Sequence, residues 1–193
     1  MEMQQGQPVP RVKAPRSTYL QLGVLLGVAL VAFVATWFLM HGNGSSTHVT
    51  VPPVGKPAIV SEAQLKALAK ETRFPVYWAG AKNGAYELTR TSGGRIYVRY
   101  LQSANELGTR SAKYLTVGTY PSKQAIVSLR RAAVRRGGLS LKIDKGGLLV
   151  FNTFAPTSVH FSYPKAPYQV EVYDPSPQVA RTLVLSGAVK PIG

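Results

Sequence analysis

Two rhythms of apolar residues divide this chain. From Leu22 to Met40 the side chains are apolar, small or hydroxylated, and none carries a charge. Beyond Pro57 apolar positions return only in short runs, at helical spacing or alternating with polar ones. The first run holds nineteen residues, which at ~1.5 Å of rise each reach ~28 Å, close to the hydrocarbon thickness of a bilayer. With Leu20 and Gln21 it predicts a transmembrane helix over 20–40. Its bulky end, Trp37-Phe38-Leu39-Met40, offers no small-x-small cleavage site, so the segment is expected to persist as a signal anchor. A buried soluble helix competes with this reading but does not explain the flanks. Arg11, Lys13 and Arg16 precede the run, and no Lys or Arg follows until Lys56. That asymmetry predicts a cytoplasmic N-terminus, a single pass through the plasma membrane, and everything after residue 41 outside. Gly23 and Gly27 form a G-x-x-x-G pair, the candidate contact for self-association into a homodimer.

The rest of the chain falls into three further parts. Residues 1–19 read as a short cytoplasmic tail. Residues 41–56, rich in Gly, Ser and Pro, read as a flexible linker. Residues 57–193 form the exterior domain. Ser61-Glu62-Ala63-Gln64 is a capping-box pattern ahead of Leu65, Leu68 and Ala69, which predicts a helix over 62–72. Strand-like runs follow at Val76–Ala79, Tyr86–Thr91, Arg95–Leu101 and Lys113–Tyr120, with Ser92-Gly93-Gly94 as a hairpin turn. Pro121-Ser122 opens a second helix, with Ala125, Ile126, Leu129 and Ala133 on one face and Arg135-Arg136-Gly137-Gly138 closing it. Further strands are expected at Leu139–Asp144, Leu148–Thr153, Ser158–Tyr163 and Gln169–Tyr173. Asp174-Pro175-Ser176-Pro177 starts a last helix that runs to about Leu185.

Helix and four strands thus occur twice, at an offset of ~53–55 residues, in the range where repeats are sought. A duplication into two pseudo-repeated α-β4 halves with a boundary near 121, and a chance likeness of helix starts, both fit. Either way the fold class is α+β, an antiparallel sheet with helices on one face. The phrases Pro75-Val76-Tyr77-Trp78-Ala79-Gly80, Gly94-Arg95-Ile96-Tyr97-Val98-Arg99-Tyr100-Leu101 and Tyr173-Asp174-Pro175-Ser176-Pro177 resemble a group of uncharacterised bacterial single-pass membrane proteins. The resemblance spans most of the exterior domain and implies a bacterial cell-envelope setting. It supplies no activity and no functional residue.

Candidate chemistry is sparse. There is no cysteine, which removes thiol catalysis, Cys-ligated zinc and iron–sulfur clusters. His41 and His48 fall in the linker, and His160 alone cannot make a typical zinc site. No phosphate-binding glycine loop, G-x-S-x-G or H-E-x-x-H occurs. Neither a cofactor nor a metal is therefore expected. Glu87 and Glu171 lie on strands and could serve a hydrolase with His160 only if they converged. Tyr77 and Trp78 read as core cover rather than a ligand platform.

Charge carries more. The formal net charge is +15, and the tail accounts for +2 of it, leaving +13 outside. Such an excess attracts anionic lipid, wall polymers or an acidic envelope protein, with nucleic acid the least favoured. Arg130, Arg131, Arg135 and Arg136 crowd the end of the second helix, with 131 and 135 on one helical face. The helix dipole accounts for only part of that crowding. On Arg95–Leu101, alternation turns Ile96, Val98 and Tyr100 inward and places Arg95, Tyr97 and Arg99 on the opposite face. Val159, Phe161 and Tyr163 likewise point inward, with Ser158, His160 and Ser162 outward. The function expected from these patterns is a membrane-anchored, non-enzymatic, extracytoplasmic binding domain with a basic surface. A subunit of a larger envelope assembly is the first alternative and an envelope hydrolase the second.

Overall fold

The computed structural model describes residues 50–193. The expected tail, the expected transmembrane segment with Gly23 and Gly27, and residues 41–49 of the expected linker lie outside the described residues. Among the described residues no helix is long and apolar enough to cross a membrane.

The chain runs β1 (Ala58–Val60), α1 (Glu62–Glu71), β2 (Tyr77–Trp78), β3 (Ala85–Arg90), β4 (Ile96–Leu101) and β5 (Thr116–Pro121). It continues through α2 (Ala125–Ala133), β6 (Gly138–Ile143), β7 (Gly147–Asn152), β8 (Ala155–Ser162), β9 (Tyr168–Tyr173), α3 (Pro177–Leu185) and β10 (Lys190–Pro191). Eight strands form one sheet in the order β1-β3-β4-β5-β9-β8-β7-β6, and β10 pairs with β2 in a separate ribbon. Every pairing is antiparallel. The domain is thus an α+β fold, as its strand periodicity predicts.

Local chemistry sets the elements. Ser61 Oγ accepts from the Gln64 amide at 3.2 Å, and Gln64 Oε1 accepts from the Ser61 amide at 2.9 Å. This capping box satisfies donors that the first turn of α1 leaves free. The hairpin between β3 and β4 closes through Gly94 at φ +76°, with Thr91 N–H donating to the Arg95 carbonyl at 2.9 Å. Residues 50–56, read as linker, are tied to the domain. Arg90 Nη1 donates to the Pro52 carbonyl at 3.1 Å, Gly55 N–H donates to the Arg90 carbonyl at 2.8 Å, and Val51 packs on the core.

Alternation along the strands divides the sheet into two faces. Ile96, Val98, Val117, Val170, Val172, Val159, Phe161 and Leu149 are buried in the main core with Leu65 and Leu68 of α1 and Ala180 and Val184 of α3. The buried residues of α2, Ala125 and Leu129, are not part of that cluster, nor is Val150 of β7. Val150 sits beside His160, on the face opposite Val159 and Phe161. As α2 packs against β6, β7 and β8, it lies on the reverse side. The expectation of helices on one face therefore holds for α1 and α3 and fails for α2. An amphipathic stripe tells that a helix has an apolar side but not which face of a sheet will receive it. The same crossing explains why His160 and Ser162, expected to point into water, are half-buried and buried.

Candidate functional site

The reverse face carries the charged side chains singled out by sequence, and the structure sorts them into separate groups. Glu87 and Arg99 stand directly opposite each other on β3 and β4. Their carboxylate and guanidinium lie 3.2 Å apart, with side-chain exposures of 4% and 19%. Glu87 Oε2 also accepts from the Gly108 amide at 2.8 Å. Arg99 Nη2 donates to the carbonyl and the hydroxyl of Thr109, and its guanidinium sits 4.9 Å from the Tyr114 ring. These contacts fasten the loop before β5 onto the sheet. Arg95, Tyr97 and Arg99 share the face opposite the core, as alternation predicts, but Arg99 is not open to a ligand there, because a cross-strand carboxylate and a covering loop occupy it.

Glu106 holds that loop from the other side. Its carboxylate accepts from the Gln102 amide at 2.8 Å and pairs with Lys113 at 3.1 Å. The Tyr114 hydroxyl, Lys113 and the backbone amides of Gln102 and Ser103 lower its pKa from 4.5 to about 2. A carboxyl depressed in the folded state stabilises fully above 4.5, and that contribution is lost as pH falls toward 2. Protection factors of the Gln102 and Ser103 amides, taken against intrinsic exchange at each pH, should therefore fall as pH is lowered across this window, and in Glu106→Gln they should be low and lack this pH step. Protection that stays constant down to pH 2 in the native chain would contradict this.

Glu171 sits two strands further on. It is opposite Gly118 of β5 and His160 of β8, and Gly118 is opposite Tyr97 of β4. The Tyr120 hydroxyl donates to Glu171 Oε2, and Ser158 Oγ donates to Oε1 at 2.7 Å. Tyr97, Thr116, Gly118, Tyr120, Glu171 and Tyr173 line a hollow of about 200 Å³. Its floor needs glycine, since a Cβ at Gly118 would come within 2.6 Å of the Tyr120 hydroxyl. The Tyr97 and Tyr120 rings meet at 5.5 Å, and the Arg95 guanidinium lies 5.7 Å over Tyr120. Burial and the Glu171 carboxylate push the Tyr120 hydroxyl well above the usual phenol range. Burial also holds His160 below its ordinary value, against the pull of Glu171.

Glu87 and Glu171 do not converge. Strands β3 and β9 are three places apart, or ~14 Å at the usual ~4.8 Å spacing. The carboxyl pairs of glycosidases stand ~5–10 Å apart. Among the described residues no group of three or more acidic or histidine side chains could hold a metal ion.

Two groups lie elsewhere. Arg130, Arg131, Arg135 and Arg136 are all exposed, and among the described residues none reaches a carboxylate within ion-pair distance. However, α2 stops at Ala133, so Arg131 and Arg135 do not share a helical face. The chain turns through Gly137 at φ +75°, and Gly138 N–H donates to the Arg135 carbonyl at 2.8 Å. A Cβ at Gly137 would lie 2.6 Å from the Phe154 ring, and that ring receives the Arg136 guanidinium at 5.3 Å. Val134 is 87% exposed and Phe154 69%. The last group is a cleft of about 550 Å³ beside β10, lined by Tyr77, Tyr163, Tyr168, Asp144, Lys145 and Lys190 among others. No sequence signal marked it, because it is assembled from two hairpin tips and a two-residue strand far apart in the chain. Tyr77 and Trp78 are buried in the core, as expected of strand aromatics. No protein family, curated protein or solved structure matches this chain.

Proposed function

We propose that the chain is a membrane-anchored, extracytoplasmic binding protein without enzymatic activity, whose basic surface engages an anionic bilayer. One observation carries the reading. Four exposed arginines, none with a carboxylate partner among the described residues, flank the protruding Val134 in sequence, and one of them, Arg136, lies against the exposed Phe154 ring. Cations alone would suit any polyanion. Cations around apolar tips suit a lipid interface, where guanidinium groups meet phosphates and the tips enter the acyl boundary. The single-pass anchor expected at 20–40 would keep the domain beside such a surface. The finer architecture belongs to the same proposal. In chain order α1 with β2–β5 and α2 with β6–β9 each run as a helix and four strands and meet at β5 and β9, which favours a duplicated α-β4 unit, whereas β2 leaves the sheet to pair with β10 and the two helices pack on opposite faces.

The test uses the full chain in neutral-lipid nanodiscs and measures capture of anionic phosphatidylglycerol vesicles against neutral phosphatidylcholine vesicles. Capture should be selective for the anionic vesicles and should fade as ionic strength rises toward ~1 M, where the screening length falls to ~3 Å. Reversing Arg130, Arg131, Arg135 and Arg136 to Glu should weaken it about a thousandfold or more, at ~1 kcal/mol for each of the four cations lost. Replacing Val134 and Phe154 by Ser should weaken it without altering its salt dependence. Capture that ignores salt and charge reversal would defeat the proposal.

A further inference from the structure

The hollow around Glu171 sets a carboxylate against tyrosine rings in a domain that is otherwise strongly cationic. Both its oxygens accept hydrogen bonds, but from neutral hydroxyls, Tyr120 on one side and Ser158 on the other. No lysine or arginine among the described residues lies within ion-pair distance of it. Burial holds its cross-strand neighbour His160 below the ordinary histidine range, which disfavours a charged partner there. Arg95, the cation at the rim, faces the Tyr120 ring instead. The carboxylate is half-buried, so its charge is only partly relieved by water. A carboxylate has about four acceptor positions, and the two hydroxyl donors leave room for more.

We propose that this hollow binds a small organic ammonium group, held by Glu171 and by the rings of Tyr97, Tyr120 and Tyr173. The electron-rich faces of tyrosines attract a cation that has lost part of its hydration, and a carboxylate adds direct charge pairing. Glu171 is the one charged residue lining the hollow. A volume of about 200 Å³ admits a headgroup of this kind and excludes a folded partner. Gly118 keeps the floor open, since any larger residue would collide with Tyr120. The site faces away from the main core and is built from β4, β5 and β9, apart from the arginines at the end of α2. It stands independently of bilayer binding by those arginines.

Choline serves as the probe, 3,3-dimethyl-1-butanol as its uncharged isostere, and methyl glucoside as a neutral polyol of comparable size. Saturation-transfer NMR on the full chain in a neutral detergent should show choline bound and the other two not. Glu171→Gln and Tyr97→Leu should each weaken choline binding at least about tenfold. Reversal of the four arginines should leave choline binding in place, which separates this site from the bilayer surface. If Glu171→Gln fails to fold, the contrast between choline and its isostere on the native chain still decides. Equal binding of the isostere, binding of the glucoside alone, no binding of choline, or choline binding unaffected in Glu171→Gln would each overturn the assignment.

Discussion

Arg99→Leu is expected to cost the domain about 3–5 kcal/mol, the range for removing one partner of a buried ion pair. The loss comes less from the missing attraction than from what remains. Glu87 would stay in the sheet with 4% of its side chain exposed, and the Gly108 amide would be its remaining donor. The Thr109 contacts and the stacking on Tyr114 would vanish too, loosening the loop that follows β4. Glu87→Leu should lose a comparable amount, since Arg99 would then be half of a broken pair. The double variant carrying leucine at both positions should recover most of the deficit, because two apolar side chains facing across strands replace the pair without a stranded charge. Urea unfolding of the full chain in a neutral detergent, read as a double-mutant cycle, supplies the coupling energy. Strict additivity of the two single losses would show that the pair does not act as a unit.

Phe161→Ala should be the other severe change, at about 3–5 kcal/mol. Phe161 is 1% exposed in the main core. Its ring stands edge-on to Tyr77 at 5.4 Å and to Tyr163 at 6.0 Å. It also borders a hollow of about 160 Å³ between the end of β6 and α3. Truncation therefore joins new space to old, and rigid aromatic neighbours cannot close it. Phe154→Ala is the matched control. That ring is exposed, and its loss should stay within about 0.5 kcal/mol, as for most surface changes. The same unfolding measurement compares the two. A loss at Phe161 below about 1 kcal/mol would mean that the core repacks around the gap.

How far sequence reached depends on the range of each interaction. Ile96, Val98 and Tyr100 could be assigned to the core because alternation is a property of one strand, and burial of one face enforces it. The capping box at Ser61 and Gln64 was equally local. The face of α2 was not, since Ala125 and Leu129 define a stripe and the sheet offers two sides. The end of α2 falls at Ala133, before the arginine pair that local pattern assigns to its last turn, because arginines favour last turns and turns alike, whereas Gly137 and Gly138 force the reversal earlier. The hairpin turn carries one longer-range signal: counting outward from Ser92-Gly93-Gly94 sets Glu87 against Arg99, which pairs the arginine across strands. Glu171 and Tyr97 meet only through the β4–β5 and β5–β9 pairings. The second of these joins residues about fifty positions apart, which no local pattern encodes.

That long-range pairing governs the order in which the sheet can be completed. Strands β3, β4 and β5 can zip together as soon as Pro121 has emerged, each beside its predecessor. The free edge of β5 must then wait for β9, which begins at Tyr168. During that interval its unpaired amides and carbonyls are open to any passing strand, which makes the newborn polypeptide most vulnerable to misassembly midway through its own synthesis.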